Sequence, residues 1–229
     1  MKTYLDPEDV GRMEQCAGSI RDRLLIRLLF HLGCRVSEVL ALHISDIDFA
    51  QKMITILHLK TRTKLLCPKC GASLARRHRF CPECGEEIDN ITTQDQKHRR
   101  IRMLPVDEET LRLMERYSTE YKPMTVDDNW RIFNINRHRA WQIVRNCARS
   151  AGISGLVNPE TGRVRGVSPH RLRDAFSVHA MKLDDSGDAL RLLQEHLGHA
   201  SFNTTAKYRK IAGEEHRESY ERLWRKTNT

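Results

Sequence analysis

A chain of 229 residues with 39% hydrophobic residues is long enough to bury one sizeable core, and its formal charge of +9 favours a polyanionic partner. No signal peptide, lipidation motif or long apolar run is legible, which argues against a membrane role and leaves a cytoplasmic, nucleoid-associated location as the default expectation. Seven cysteines, four of them in two CxxC pairs, fit a reducing compartment.

Taken in chain order, Asp6 before Pro7 with acids in the next turn predicts a capped helix over "DPEDVGRMEQCA". "IRDRLLIRLLFHLG" carries apolar residues at helical spacing and stops at Gly33, which places Arg35 on a fixed turn just beyond a helix end. "ISDIDFAQKMITILHLK" changes to shorter, strand-like runs, and "RIRMLPV" reads as the returning strand after an insertion. "DEETLRLMERYSTE" and "RHRAWQIVRNCARSAGI" return to helical period, while "NPETGRVRG" reads as a loop. From Ser168 onward the pattern is helical again, with Arg173 three residues after His170 on one face and His199 following Gly198 at a helix end. The sum is a mixed α/β fold, mainly helical, with a small antiparallel sheet. Cys16, Cys34 and Cys147 fall in apolar helical patterns and are expected as unpaired core thiols. His179, His196, Trp130, Trp141 and Trp224 are expected to serve packing or surface contacts.

The insertion carries "CPKCG" and "CPECG", which place Cys67, Cys70, Cys81 and Cys84 as two knuckles within residues 65–90. Each knuckle turns two thiolates toward one ion, and four thiolates suit a closed, structural zinc site that fixes a segment too small for its own core. A rubredoxin-type iron centre uses the same ligands; redox dithiols and ordinary loop cysteines are the competing readings. Basic residues bracket this ribbon. Arg76, Arg77, Arg79, Arg99 and Arg100 are candidates for tracking a DNA backbone, against the plainer reading of a solvated basic face.

The segment from "SPHRLRDAF" to "LGHASFNTTAKYRK", with Arg35 of "LGCRVSEVL", supplies the chemistry. A tyrosine attacks well only if something accepts its proton and something neutralises the phosphate, because its free pKa near 10 leaves it protonated at neutral pH. Arg35, Arg173, His170 and His199 meet that need around Tyr208.

These boxes, "LGCRVSEVLAL", "HRLRD" and "LGHASFNTTAKY", resemble the catalytic domain of tyrosine recombinases, the phage-integrase family of site-specific DNA recombinases. The resemblance runs from about Leu5 to about Ile211 and rests on separated motifs in the right order. It implies that Arg35 and Arg173 hold the non-bridging oxygens of the scissile phosphate, a task suited to a permanently charged planar fork. It implies that His170 and His199 both hydrogen-bond the phosphate, one of them assisting proton transfer, and that Tyr208 is the nucleophile. Lys60 matches the general acid on the β-hairpin; Lys64 and Lys97 flank the same hairpin. Arg102 and Pro105 match the family's "RxxP" strand, and Glu38 matches the acid that braces the arginine box. Asp174 stands where the family often has histidine, and its role is open.

The implied reaction forms a 3′-phosphotyrosyl link, frees a 5′-hydroxyl and conserves the phosphodiester energy, so neither ATP nor a catalytic metal enters. The implied partners are double-stranded DNA and other protomers on synapsed sites, in recombination or integration of a mobile element. Two other readings use the same residues: a type IB topoisomerase, and a catalytically idle DNA-binding regulator. The family usually carries an N-terminal helical domain, while this chain begins near the start of the matching catalytic region. It is then part of a longer protein, or the ribbon or partner protomers supply the missing contacts. In residues 213–229, Tyr220, Leu223 and Trp224 form an apolar stripe on an expected helix; the resemblance docks it on a neighbouring protomer, and the plainer reading folds it back on its own core.

Overall fold

The computed structural model describes residues 2–57, 62–75, 78–88, 92–96, 101–122, 129–158, 161–184, 186–199, 202–206 and 208. Lys60, Arg76, Arg77, Arg99, Arg100, Trp224 and the tail at 213–229 lie outside them. The chain divides into two compact units: Met1–Ile56 with Arg102–Thr229, and Leu57–Ile101.

The larger unit opens with α1 (Pro7–Gln15), capped by Asp6, whose carboxylate accepts from Asp9 N at 2.8 Å while Asp9 accepts in return from Asp6 N. Ser19 caps α2 (Ile20–His31), and Arg35 stands at the N-cap of α3 (Val36–Leu40). After a 3₁₀ turn at Ile44–Asp46 come β1 (Ile47–Asp48) and β2 (Met53–Leu57). The smaller unit contributes β3 (Arg62–Leu66), β4 (Ser73–Leu74) and β5 (Thr92–Gln96), and the chain returns through β6 (Ile101–Pro105). Helices α4 (Glu108–Tyr121) and α5 (Arg137–Ser150) follow, capped by Asp107 and Asn136. Next are β7 (Leu156–Val157), β8 (Val164–Arg165), α6 (Pro169–Leu183), α7 (Gly187–Leu197) and the short α8 (Phe202–Ala206).

Helix α2 is the hub of the larger unit. Leu24–Phe30 is buried throughout, which explains why its apolar pattern is wide, and the helix packs against α1, α4 and α6. Its one buried charge, Arg27, is held by Glu14 of α1, by Glu109 and Thr110 of α4, and by the cap Asp107. The sheet has the order β1-β2-β6, with Ile47 opposite Ile54. A second apolar cluster joins Val178 and Met181 of α6 to Leu190, Leu193 and Leu197 of α7 and to Tyr208.

The segment expected as a loop after α5 holds an antiparallel pair, Leu156 opposite Arg165 and Val157 opposite Val164. Its strands are two residues long, too short for alternation to show. A Cβ on Gly155 would lie 2.8 Å from Val164 Cγ1 and 3.2 Å from Arg165 O, so a glycine permits the close approach. Cys34 and Cys147 are buried as expected, whereas Cys16 is exposed because it caps the end of α1. Among the described residues no helix is long and apolar enough to cross a membrane.

In the smaller unit β3 is central, paired antiparallel with β4 and with β5. Its small core consists of Cys67, Leu74 and Cys81, with Leu65, Ala72 and Ile88 against them.

Candidate active site and metal centre

Three helix ends bring the arginine box, α6 and the "LGH" turn together. The chain leaves α2 through Gly33 at φ 55°, a left-handed turn that also passes under the Phe176 ring, where a Cβ would collide. This turn aims the Gly33 carbonyl at Arg173, whose Nη1 donates to it at 2.7 Å. Arg173 Nη2 donates to Leu197 O at 2.8 Å, so the guanidinium also satisfies a last-turn carbonyl of α7. With only 1% of its surface exposed, Arg173 is pushed down to about 10 by burial and by neighbouring Arg35, and it remains charged at neutral pH.

Gly198 ends α7 at φ 65°, and a Cβ there would meet the Arg102 guanidinium. The "LGH" triplet therefore has a physical reading: a carbonyl acceptor, a left-handed turn under an arginine, and an imidazole beyond it. His199 Nε2 lies 3.0 Å from Arg173 Nη2, and its Nδ1 lies 2.8 Å from Thr205 Oγ1. A guanidinium only donates, so Nε2 accepts; the proton sits on Nδ1 and is donated to Thr205.

Glu38 lies beneath these cations. Its carboxylate accepts from Arg35 N at 2.9 Å, Arg35 Nη1 at 2.8 Å and Arg102 Nη2 at 3.1 Å, and it stands 4.0 Å from Arg173 Nη1. Burial opposes the charged form, but Arg102 and then the Arg35 backbone and guanidinium outweigh it and hold the acid at about 2. Three guanidiniums around one carboxylate leave a net positive site. Of their side chains Arg35 is the most open, at 27% exposure against 9% for Arg102 and 2% for Arg173. Such an array suits a tetrahedral oxyanion.

Arg102 is a site residue that the sequence used only to place a strand. The signal was alternation. Arg102 and Leu104 share the inward face of β6 while Ile101 and Met103 are exposed, and an arginine on an inward face requires buried partners. Its Nη1 reaches Leu197 O at 3.0 Å.

On α6, His170 and Arg173 diverge. Arg173 points inward, whereas the His170 side chain is 68% exposed and its Nε2 lies 3.7 Å from Asp174 Oδ1 one turn on. Residues three apart sit some 60° apart around a helix, enough to put one on the rim and the other inside. Asp174 and Tyr208 form the second grouping: Tyr208 Oη donates to Asp174 Oδ1 at 2.7 Å, and both residues are buried. Burial, followed by the Asp174 charge and hydrogen bond, pushes the Tyr208 hydroxyl above the usual phenol range. His196 is structural as expected, stacked on Phe176 with Nε2 toward Leu32 O.

The four cysteines of the smaller unit converge, with all Sγ atoms within 4.8 Å of one another. Cys67 and Cys84, and likewise Cys70 and Cys81, are 3.6 Å apart. A tetrahedral site with Zn–S near 2.3 Å has S···S edges of roughly 3.8 Å, so the donor set fits such an ion. The two knuckles are built alike. Gly71 N donates to Cys67 O and Gly85 N to Cys81 O, both at 2.9 Å, and the glycines turn at φ 72° and 71°. Backbone N–H groups of Cys70 and Lys69 pull the Cys67 thiol down to about 7, while Cys70 and Cys84 are pushed up, since the opposing Ala72 and Glu86 backbone groups are outweighed by hydrogen bonds among the thiols and by burial. Arg79 is exposed beside the second knuckle, its carbonyl accepting from Ile88 N.

The model of the phage integrase family matches residues 3–80 and 83–215. Tyrosine recombinase XerD of Neisseria meningitidis serogroup B is 28% identical over 201 residues, covering 84% of this chain and 51% of that protein. The crystal structure of XerA recombinase superposes with a TM-score of 0.64 at 23% identity, over 97% of this chain and 64% of that one. The pre-cleavage complex of XerH site-specific recombinase bound to difH substrate gives a TM-score of 0.59 at 21% identity, over 91% and 50% of the two chains. The chain thus spans about half the length of the curated relatives it matches.

Proposed function

The chain belongs to the phage integrase family, and we propose that it breaks and rejoins DNA at specific sites through a 3′-phosphotyrosine formed by Tyr208. The observation that carries this reading is the cation cluster over the end of α7, where Arg35, Arg102, Arg173 and His199 are fixed within reach of one another around Glu38. Arg35 and Arg173 hold the non-bridging phosphate oxygens, and their charge matters most where the pentavalent transition state gathers negative charge. His199 adds a polar contact, and His170 on the rim takes part in proton movement. Glu38 and Arg102 are positioning residues. Lys60, outside the described residues, serves as the acid for the departing 5′-oxygen.

Cys67, Cys70, Cys81 and Cys84 hold one zinc. Such a closed thiolate set supplies folding energy to the ribbon and leaves no position for substrate water, so no step of strand exchange passes through it. Double-stranded DNA is the substrate, in line with the difH-bound XerH neighbour. Arg79 with Arg76, Arg77, Arg99 and Arg100 tracks phosphates, and the stripe at Tyr220, Leu223 and Trp224 docks on a neighbouring protomer on synapsed DNA. The working compartment is the cytoplasm, at the nucleoid.

A nicked suicide substrate carrying the cognate site tests the reading. The expected product is a denaturation-resistant protein–DNA adduct that Tyr208→Phe abolishes. An adduct from the Phe variant removes the nucleophile assignment, and site-independent plasmid relaxation points to a topoisomerase instead.

A further inference from the structure

The carboxylate that follows Arg173 on α6 faces the proposed nucleophile. Tyr208 Oη and Asp174 Oδ1 are 2.7 Å apart in a nearly dry setting, with the residues 4% and 5% exposed. Among the described residues, four other groups bear on the pair. His170 Nε2 is 3.7 Å from Oδ1, Arg171 Nη1 is 3.7 Å from Oδ2, the Ser177 hydroxyl donates to Arg173 O at 2.9 Å, and the Arg173 charge acts on the phenol. Two cationic or cation-forming side chains thus hold the carboxylate while the phenol points at it.

Among the described residues, His199 is already committed, and His170 stands against the Asp174 carboxylate itself at 3.7 Å. His199 Nε2 accepts from Arg173 and its Nδ1 proton goes to Thr205. Arg173 is occupied by two backbone carbonyls and has no acceptor atom. A buried phenol beside a carboxylate stays neutral at rest, so its proton has to leave during the attack, to a group already within hydrogen-bond distance. Asp174 meets that geometric requirement.

We propose that Asp174 is the proton acceptor for Tyr208, a catalytic carboxylate that keeps the nucleophile neutral at rest and takes its proton as Oη attacks phosphorus. In the forward step the Oη–H bond breaks and the proton passes to Asp174 Oδ1. The pair left on Oη forms the O–P bond, the P–O5′ bond breaks, and the 5′-oxygen leaves with that pair and is protonated by the general acid. In rejoining, the 5′-hydroxyl attacks and Asp174 returns the proton to the departing Tyr208. This rests on Tyr208 being the nucleophile.

The test uses the full chain and single-turnover adduct formation on the nicked substrate, with wild type and Tyr208→Phe as the reference pair. Asp174→Asn keeps the shape and an oxygen that accepts the phenol hydrogen bond, but cannot take the proton. It should bind DNA like wild type and form adduct about 100-fold more slowly, the lower end of what a positioned base contributes. A 5′-bridging phosphorothiolate, whose sulfur leaves without protonation, should restore a Lys60→Ala variant and leave Asp174→Asn slow. Asp174→His supplies a different base in the same place. Its adduct rate should recover in part and fall off below pH ~6.5, where imidazole protonates, a shift that a packing role cannot produce.

An Asp174→Asn rate equal to wild type overturns the proposal while the nucleophile assignment stands. A faster rate makes the contact a latch and equally overturns it. Asp174→His as slow as Asn, or with the wild-type pH profile, does the same. Absence of adduct from wild type itself brings down both readings, and is distinguished by that control alone.

Discussion

Arg102 and Arg173 donate to one oxygen, the Leu197 carbonyl, at 3.0 and 2.8 Å. Two like charges converge there because the acceptor is a last-turn carbonyl at the negative end of α7 and because Glu38 stands between them on the other side. β6, α6, α7 and the arginine box are thereby tied at one point. The point lies just before His199, so whatever disturbs it reaches Arg173 and His199 together.

Arg102→Ala should therefore act on chemistry without touching DNA. Removing one partner from a buried ion pair costs about 3–5 kcal/mol, and here it also removes one of the two donors to the Leu197 carbonyl at the end of α7. The expected result is a lower melting temperature, DNA affinity within a few-fold of wild type, and adduct formation reduced at least tenfold. Loss of affinity in proportion to cleavage would move Arg102 from a bracing role to a DNA contact.

Glu38 gives a pH signature. Its folded pKa of about 2 lies below the ordinary carboxylate value near 4.5, so its stabilisation is present in full above 4.5 and is lost as pH falls through 4.5 toward 2. On the order of 3 kcal/mol is at stake for a side chain this buried. Glu38→Gln should destabilise the chain at neutral pH and flatten the acid limb of stability, measured by urea unfolding from pH 7 to pH 3. An unchanged slope between those limits would show that other carboxylates carry the acid sensitivity, Asp107 beside Arg27 foremost.

Gly198→Ala tests the turn and its tenant together. A left-handed alanine costs about 1–2 kcal/mol, and its methyl group displaces the Arg102 guanidinium. In an Arg102→Ala background only the backbone part remains, so the two substitutions should be less than additive in a double-mutant cycle. Strict additivity in stability would mean that Arg102 moves aside at no cost.

Much of this site was legible because its residues sit in short boxes: Arg35 with Glu38, Arg173 within "HRLR", and "LGH" each occupy one turn of chain. What was not legible joins distant positions or depends on side-chain direction. The Tyr208–Asp174 bond spans 34 positions, and no periodicity announces it. His170 faces outward although it shares a box with buried Arg173, since spacing along a helix gives angle but not depth. The β7–β8 pair is too short to alternate, and its marker, Gly155, reads like any loop glycine until Val164 is seen against it. The helices were easier, because caps such as Asp6, Ser19 and Asp107 act within three residues.

The four-cysteine ribbon offers the cleanest separation of structure from chemistry. Elemental analysis of protein purified under reducing conditions without chelator should find one zinc per chain. Cys81 is buried in the small core with Leu74, so Cys81→Ser should remove both a ligand and the ribbon's packing. Metal binding and ribbon folding are one event, worth roughly 10–16 kcal/mol in zinc-finger peptides, and β3, β4 and β5 should lose protection from hydrogen exchange together. The α2-centred core should keep its protection, because its buried residues come from the other unit. Adduct formation should persist at reduced DNA affinity, with a shallower dependence on salt if Arg79 and its basic neighbours follow phosphates, each contact contributing about 0.9 to the slope. A metal-free protein with a protected ribbon would sink the zinc assignment, and an unchanged salt slope after ribbon unfolding would return those arginines to an ordinary solvated face.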